Sequence, residues 1–425
     1  YEISEFPFFS FLFSDLHPHM ISIPIFILFI NLLVVIFKNK VNGLNLTKFL
    51  VSCGLIISLL FGTLWATNPW TVPVIFILLN MFTFLFFRQF SELPIIKSII
   101  YSLTIIFFSY LFFLPFHINF ISPVSSFEIS EFSTRFYDFI EIYFIFILII
   151  LIFFISSLRK EFTMKLKDDN YKNSFFSILI SGIFFIIFVE NFKIENDIGR
   201  MNTFFKFHLQ IWILMSISSC YLLFMTYKYN NVKFKKFLFF PLLSILVISG
   251  IIYPIFGTYD RINDRFNKTD ITLNGSRFLE ENIYSGPNGE INLSDDYDAI
   301  KWIKENVTDV SVIVEGNGPL YSWASRFSIY TGLPNVIGWD WHQVQQRGYD
   351  RSLINKRVND VDEFYSTDNL NRKVEIIEKY NINLVVIGSL ERNKYPSSGI
   401  NKIGALNIFE EIYKNDQTTI LKAIK

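Results

Sequence analysis

The sequence predicts a polytopic α-helical membrane protein of about eight spans that ends in an extracytoplasmic α/β domain. Three observations predict it: apolar runs long enough to cross a bilayer, a Lys/Arg bias that alternates from loop to loop, and a change of composition near residue 257. Hydrophobic residues make up 51% of the chain and charged residues only 18%, against roughly 25% charged in an ordinary soluble chain.

A hydrocarbon layer about 30 Å thick needs roughly 20 apolar residues per helix. Eight runs qualify, at about 20–37, 46–64, 70–87, 94–114, 136–157, 173–190, 204–226 and 236–256. Backbone groups in lipid must find partners inside their own segment, so each run is read as a helix. In the loops and span edges, Lys38, Lys40, Lys48, Arg88, Lys97, Arg159, Lys160, Lys165, Lys167, Lys172, Lys228, Lys233, Lys235 and Lys236 place fourteen cations on one side. Arg135, Lys193, Arg200 and Lys206 place four on the other. The richer side is cytoplasmic by the positive-inside rule. This predicts a multi-pass plasma-membrane protein with residue 1 and everything after about 257 outside.

The chain therefore divides into a membrane domain over 1–256 and a soluble domain over 257–425. In the latter, the pattern predicts a helix over 296–306 opened by Asp295-Asp296 and a short strand at 312–314. It further predicts a strand at 334–339, a helix over 370–381, a buried strand at 383–388, and a closing hairpin of 409–413 with 418–421. Cys53 and Cys220 both lie in apolar runs, so this domain folds without disulfides. Formal net charge is zero, and nothing points to a nucleic-acid partner. The chain opens at Tyr1 inside a motif, which predicts further sequence upstream.

Three constellations carry chemistry. The first runs from Glu5 to Asp15, His17, Pro18 and His19. Pro18 suits a first helical turn, so the residues before it are expected to be extended, with Asp15, His17 and His19 on one side. That set suits a divalent cation or a general base with an orienting partner; the alternative is a polar fringe at headgroup level. The second lies at the entry to the seventh run, where Asn202, Lys206 and Gln210 recur every four residues below Arg200. A helix sets these three on one face, and Arg200 with Lys206 suits a phosphate. Snorkelling of Lys206 is the alternative. The third is Trp339, Asp340, Trp341, His342, Gln343 and Arg347, a mixture of stacking surfaces and hydrogen-bonding groups suited to a sugar or to a membrane contact. Glu315-Gly-Asn-Gly-Pro-Leu-Tyr321 lacks the Lys-Ser/Thr of a phosphate loop. Asp138 and Glu141 read as interfacial, and Thr67-Asn-Pro-Trp70 as a plain turn. All five histidines (17, 19, 117, 208 and 342) fall on the predicted outer side, as do the sequons at Asn267, Asn274, Asn292 and Asn306.

Glu-Phe-Pro-Phe-Phe-Ser-Phe-Leu followed by Asp-Leu-His-Pro-His, then Arg-Met-Asn-Thr-x-Phe-Lys-Phe, then Thr-Gly-Leu-Pro-x-Val-x-Gly-Trp resemble the YYY family, uncharacterised polytopic membrane proteins of archaea and Chloroflexi. The layout is similar to glycosyltransferases of the GT-C class, which implies a polyprenyl-phosphate sugar donor, an extracytoplasmic acceptor and, in some members, a divalent metal. On that resemblance Asp15, His17 and His19 are the expected catalytic or metal-binding groups. Arg200, Asn202, Lys206 and Gln210 are the expected donor-phosphate ligands, and the segment 339–347 the expected sugar-binding surface. A transporter or lipid flippase, or a non-enzymatic envelope protein, is the competing reading.

Overall fold

The computed structural model describes residues 5–14, 16–38, 46–120, 126–167, 169, 171–195, 197, 199–231, 234–265, 272–286, 289–347 and 350–424. Two units divide within the last long helix, Tyr1–Tyr259 and Asp260–Lys425.

Eight helices among the described residues are long and apolar enough to cross a membrane: Pro18–Phe37, Leu46–Thr67, Pro69–Phe87, Pro94–Phe112, Phe136–Ser157, Lys172–Asn191, Met201–Tyr229 and Phe237–Asp264. They are spans 1 to 8 below. The last two are longer than their apolar runs. Span 7 begins at Met201, so its polar first turns are helical, and the last helix continues past the apolar stretch to Arg265.

Span 7 packs on spans 5 and 6, span 3 on spans 1, 4 and 6, and span 2 on spans 1 and 4. Phe207, Leu209, Ile211 and Leu214 of span 7 are buried within this bundle. Outward faces keep Phe107, Phe154 and Ile187 exposed, as a lipid-facing surface requires. Little separates helix from lipid energetically in such a bundle, so close packing and interhelical hydrogen bonds hold it together. Spans 2 and 4 show how. Leu50, Gly54, Ser58 and Gly62 recur every four residues, and the Tyr101 hydroxyl donates to Leu50 O at 2.8 Å while the Ser109 hydroxyl donates to Ser58 O at 2.9 Å. A Cβ on Gly62 would lie 2.4 Å from the Phe113 ring. Strands β1 (Phe127–Ile129) and β2 (Phe192–Ile194) pair antiparallel and tie the segment before span 5 to the end of span 6.

The second unit is mixed α and β. Strands β3 (Ile283–Gly286) and β4 (Gly289–Asn292) form an antiparallel pair. Strands β5 (Val312–Val314), β6 (Ile382–Ile387), β7 (Phe409–Lys414) and β8 (Thr419–Ala423) form a sheet of order β5-β6-β8-β7, with only β5 and β6 parallel. Side chains of β6 alternate between two cores: Leu384 and Val386 face Ile300, Ile303 and Phe327, while Val385 and Ile387 face Val361, Phe364 and Ile376. A strand covered on both faces reads as a continuous apolar run, which is why 383–388 is legible. The helix Leu293–Asn306 is capped by the Asn292 side chain, not by the acidic pair. Residues 334–339 form no strand. Asn335 makes one isolated bridge to Ile313, and its side chain donates to Glu315. The helices Asp340–Arg347 and Arg351–Ser366 follow.

Replacing Gly62 by Leu forces a side chain into the Phe113 ring, where overpacking costs about 1–3 kcal/mol. Thermal unfolding of the full chain in nanodiscs should shift downward, and an unchanged melting temperature would show that spans 2 and 4 do not meet at Gly62.

Candidate functional site

Residues expected to be extended form a short helix instead, Pro7–Phe13. Pro7 takes its first position, where a missing N–H costs nothing, and Ser14 closes it in the left-handed region at φ 61°. The Phe6 ring lies 5.7 Å from Trp212 and 5.1 Å from Tyr253, which fixes the segment against spans 7 and 8.

This anchoring presents Glu5 to two spans at once. Glu5 Oε2 accepts from the Ser10 hydroxyl at 2.9 Å and lies 3.1 Å from His19 Nε2 at the start of span 1. The Glu5 backbone carbonyl lies 2.9 Å from His208 Nδ1 in span 7. A carbonyl only accepts, so His208 donates through Nδ1. Its Nε2 is buried and has no hydrogen-bond partner among the described residues, like the nearby Tyr143 hydroxyl, whose ring lies 5.6 Å from the imidazole. Burial works against ionisation of Glu5, but hydrogen bonds from His19 and Ser10 and the charges of His19 and His17 outweigh it and hold its carboxyl below the ordinary value.

Asp197 closes the entry to span 7. It accepts from the backbone N–H groups of Asn202 (3.1 Å) and Thr203 (2.8 Å) and from both their side chains. Burial raises its carboxyl pKa; the backbone bond from Thr203 and the other three donors outweigh this, so Asp197 lies below the usual range. An anion is favoured at a helix start, where amide donors lack partners.

The expected phosphate clamp is altered by this arrangement. Arg200 is 1% exposed, and its head group donates to Val189 O at 2.6 Å, Glu190 Oε2 at 3.0 Å and Thr134 Oγ1 at 2.5 Å. Those bonds join the ends of spans 5, 6 and 7, so Arg200 braces the bundle and does not face a ligand. Asn202 is likewise spent on Asp197. Gln210 is buried, donates to the Thr71 hydroxyl at 3.3 Å and leaves its Oε1 without a partner among the described residues. Lys206 stays close to His19, its Nζ 4.6 Å from the centre of the Trp70 ring and 5.6 Å from that of Phe205, which the His19 ring also meets at 5.8 Å. The turn 67–70 is also more than a connection: Asn68 is buried and donates to Ser22 and Thr71.

Asp15 lies outside the described residues. His17 and His19 place their rings 5.2 Å apart, but Glu5 occupies His19 Nε2, and among the described residues no group of three or more His, Cys, Asp or Glu would hold a metal ion. The described residues thus do not form a metal site. Glu5 was visible in the sequence as the start of the motif, yet nothing in spacing linked it to His19 beyond the helix Pro7–Phe13, or to His208 in span 7.

In the C-terminal unit, Tyr321, Trp339 and His342 form an aromatic cluster, with ring centres 5.2–5.4 Å apart and the Tyr321 hydroxyl 3.0 Å from His342 Nε2. Tyr321 is 73% exposed and adopts φ 58°, a strained position for a bulky residue. Trp341 is 47% exposed beneath the Arg351 guanidinium, which also pairs with Asp340 at 3.3 Å. Gln343 lies beside Gly338; the Arg347 side chain lies outside the described residues.

A buried charge cluster supports the loops beneath. Arg326 pairs with Asp296 at 2.5 Å, with Glu391 at 2.9 Å and with Glu315 at 3.6 Å. Glu391 also accepts from Gly316 N and Gly388 N, and Glu315 accepts from Phe327 N, Ser328 N and Asn335. One cation faces three carboxylates. Burial pushes Glu315, the most distant of the three, up to about 7.

The eight spans define a multi-pass helical membrane protein whose second unit contains β-sheet. Residues 1–179, which include the Glu5 segment and reach into span 6, match the model of a family described as uncharacterized membrane protein, DUF2298. No curated protein matches the chain.

Glu315 has a folded-state pKa of about 7 against an ordinary 4.5, so the folded form binds more protons between those values. Its contribution to stability is complete below about pH 4.5 and is lost as pH rises through 7. Proteolytic susceptibility of the C-terminal unit in the full chain should therefore rise over that window, and Glu315→Gln should abolish this rise. An identical profile in wild type and variant contradicts the assignment.

Proposed function

We propose that the protein is a membrane glycosyltransferase of the GT-C layout. It transfers a sugar from a polyprenyl-phosphate-linked donor to a hydroxyl acceptor outside the plasma membrane, with the C-terminal unit also outside. The observation that carries this reading is a carboxylate-held imidazole, Glu5 with His19, gathered with Lys206 at one end of the bundle.

In this reading Glu5 fixes the orientation of His19 through Nε2, and the second ring nitrogen takes the proton of the acceptor hydroxyl. The acceptor oxygen bonds to the anomeric carbon, the bond from that carbon to the phosphate oxygen breaks, and its electron pair leaves with the lipid phosphate. Lys206 offsets the charge of that leaving group, and opposite charges attract strongly where water is scarce. Lys206 takes the role that the sequence shared with Arg200. Tyr321, Trp339, Trp341 and His342 supply ring faces on which the C-terminal unit binds sugar.

The full chain in proteoliposomes with a radiolabelled polyprenyl-phosphate sugar tests this. Loss of an oriented general base costs about 10²–10⁴-fold, so Glu5→Gln and His19→Phe should each lower transfer by that order while the protein still assembles. Transfer unaffected by both variants, or lipid movement without glycosylated product, overturns the proposal.

A further inference from the structure

At the bundle end opposite Glu5, spans 1, 3 and 6 line a half-open cavity of about 390 Å³. Its floor is apolar, from Phe37 and Phe82, and its rim is polar, from Arg88, Gln89, Asn173 and Ser174. Nothing in the proposed transfer uses it.

Three features of the rim point to an anion. Arg88 follows span 3 and is exposed, and its side chain makes no hydrogen bond or ion pair among the described residues. Ser174 is only 7% exposed, yet its hydroxyl, lining the cavity, makes no hydrogen bond among the described residues. The hydroxyl is open to the cavity, where a ligand or water can bond to it. Asn173 and Ser174 also belong to the first turn of span 6, where the first intrahelical bond runs from Phe175 N to Tyr171 O and the Tyr171 side chain caps nothing. Amide donors at a helix start favour negative charge, and Arg is suited to phosphate oxygens.

We propose that this cavity binds a phosphate group at the membrane surface, through Arg88, the Ser174 hydroxyl and the amides of Asn173 and Ser174. The phosphate is that of an anionic lipid headgroup or of a free phosphate. The apolar floor accepts the glycerol and upper acyl carbons of a lipid, and the volume lies within the range of small-ligand sites.

Two arms separate the sources. Full-length protein reconstituted in phosphatidylcholine nanodiscs with a minor fraction of phosphatidylglycerol is analysed by native mass spectrometry for retained lipid. Lipid-free protein in neutral detergent is titrated with inorganic phosphate and followed by phosphorus NMR line broadening. In the lipid case phosphatidylglycerol is retained over phosphatidylcholine, and Arg88→Gln lowers retention about tenfold, the effect of losing one charge-assisted contact of ~1.4 kcal/mol. Ser174→Ala lowers it by a smaller factor, and Lys97→Gln, which removes an exposed cation away from the cavity, leaves it unchanged. In the free-phosphate case, line broadening appears and is lost in Arg88→Gln, without lipid preference. The proposal falls if neither signal depends on Arg88, or if Lys97→Gln lowers retention as much as Arg88→Gln, which would indicate diffuse surface charge.

Discussion

The end of the bundle where the N-terminal helix docks depends on the placement of one carboxylate. Glu5 sits where spans 1, 7 and 8 meet the N-terminal helix, and a charge there persists only if hydrogen bonds replace the water it has lost. Ser10 and His19 supply them to the side chain, and His208 secures the same residue through its backbone carbonyl. Because those partners belong to span 1, span 7 and the helix Pro7–Phe13, the pairing fixes the mutual placement of all three. Phe6, wedged between Trp212 and Tyr253, keeps the carboxylate from swinging away.

The same rule of paired burial governs the other charges, and it sorts structural residues from those available for chemistry. Arg200 is bound on all sides by Val189, Glu190 and Thr134 and Asp197 by the first turn of span 7, so both hold helix ends together. Arg326 does the same for the C-terminal unit, where Asp296, Glu391 and Glu315 link the helix Leu293–Asn306 to the segments after β5 and β6. Lys206 and His208 differ. Among the described residues Lys206 has aromatic faces in place of a bonded partner, and His208 keeps one nitrogen with none. Groups left incompletely satisfied in otherwise paired surroundings are those with capacity for a ligand.

The spans were legible because the bilayer imposes a single length and a single polarity on every segment, so apolar runs and loop cations suffice. Strand β6 and the hairpin of β7 and β8 were legible through local apolar pattern. The segment 334–339 misled because Val336 and Ile337 are apolar enough for a strand and are buried, yet pairing with β5 stops at the single bridge of Asn335 to Ile313. The site was legible only in part. His17, His19 and Lys206 stood out as rare polar residues in apolar context, whereas Glu5, Asn68 and Thr71 owe their importance to partners on other spans. Arg200 attracted attention for the charge that, in the folded bundle, Glu190 and Thr134 already absorb. Side-chain partnership across spans is a tertiary property, and no periodicity records it.

A double-mutant cycle on Glu5 and His19, read as the stability of the full chain in nanodiscs, tests the pairing most directly. Glu5→Gln, His19→Phe and the double variant should show a coupling of about 1–3 kcal/mol, as expected for residues in one hydrogen-bonded network. Losses that add to within about 0.5 kcal/mol, the behaviour of independent sites, would mean that the two side chains do not meet and that the site built on them does not exist.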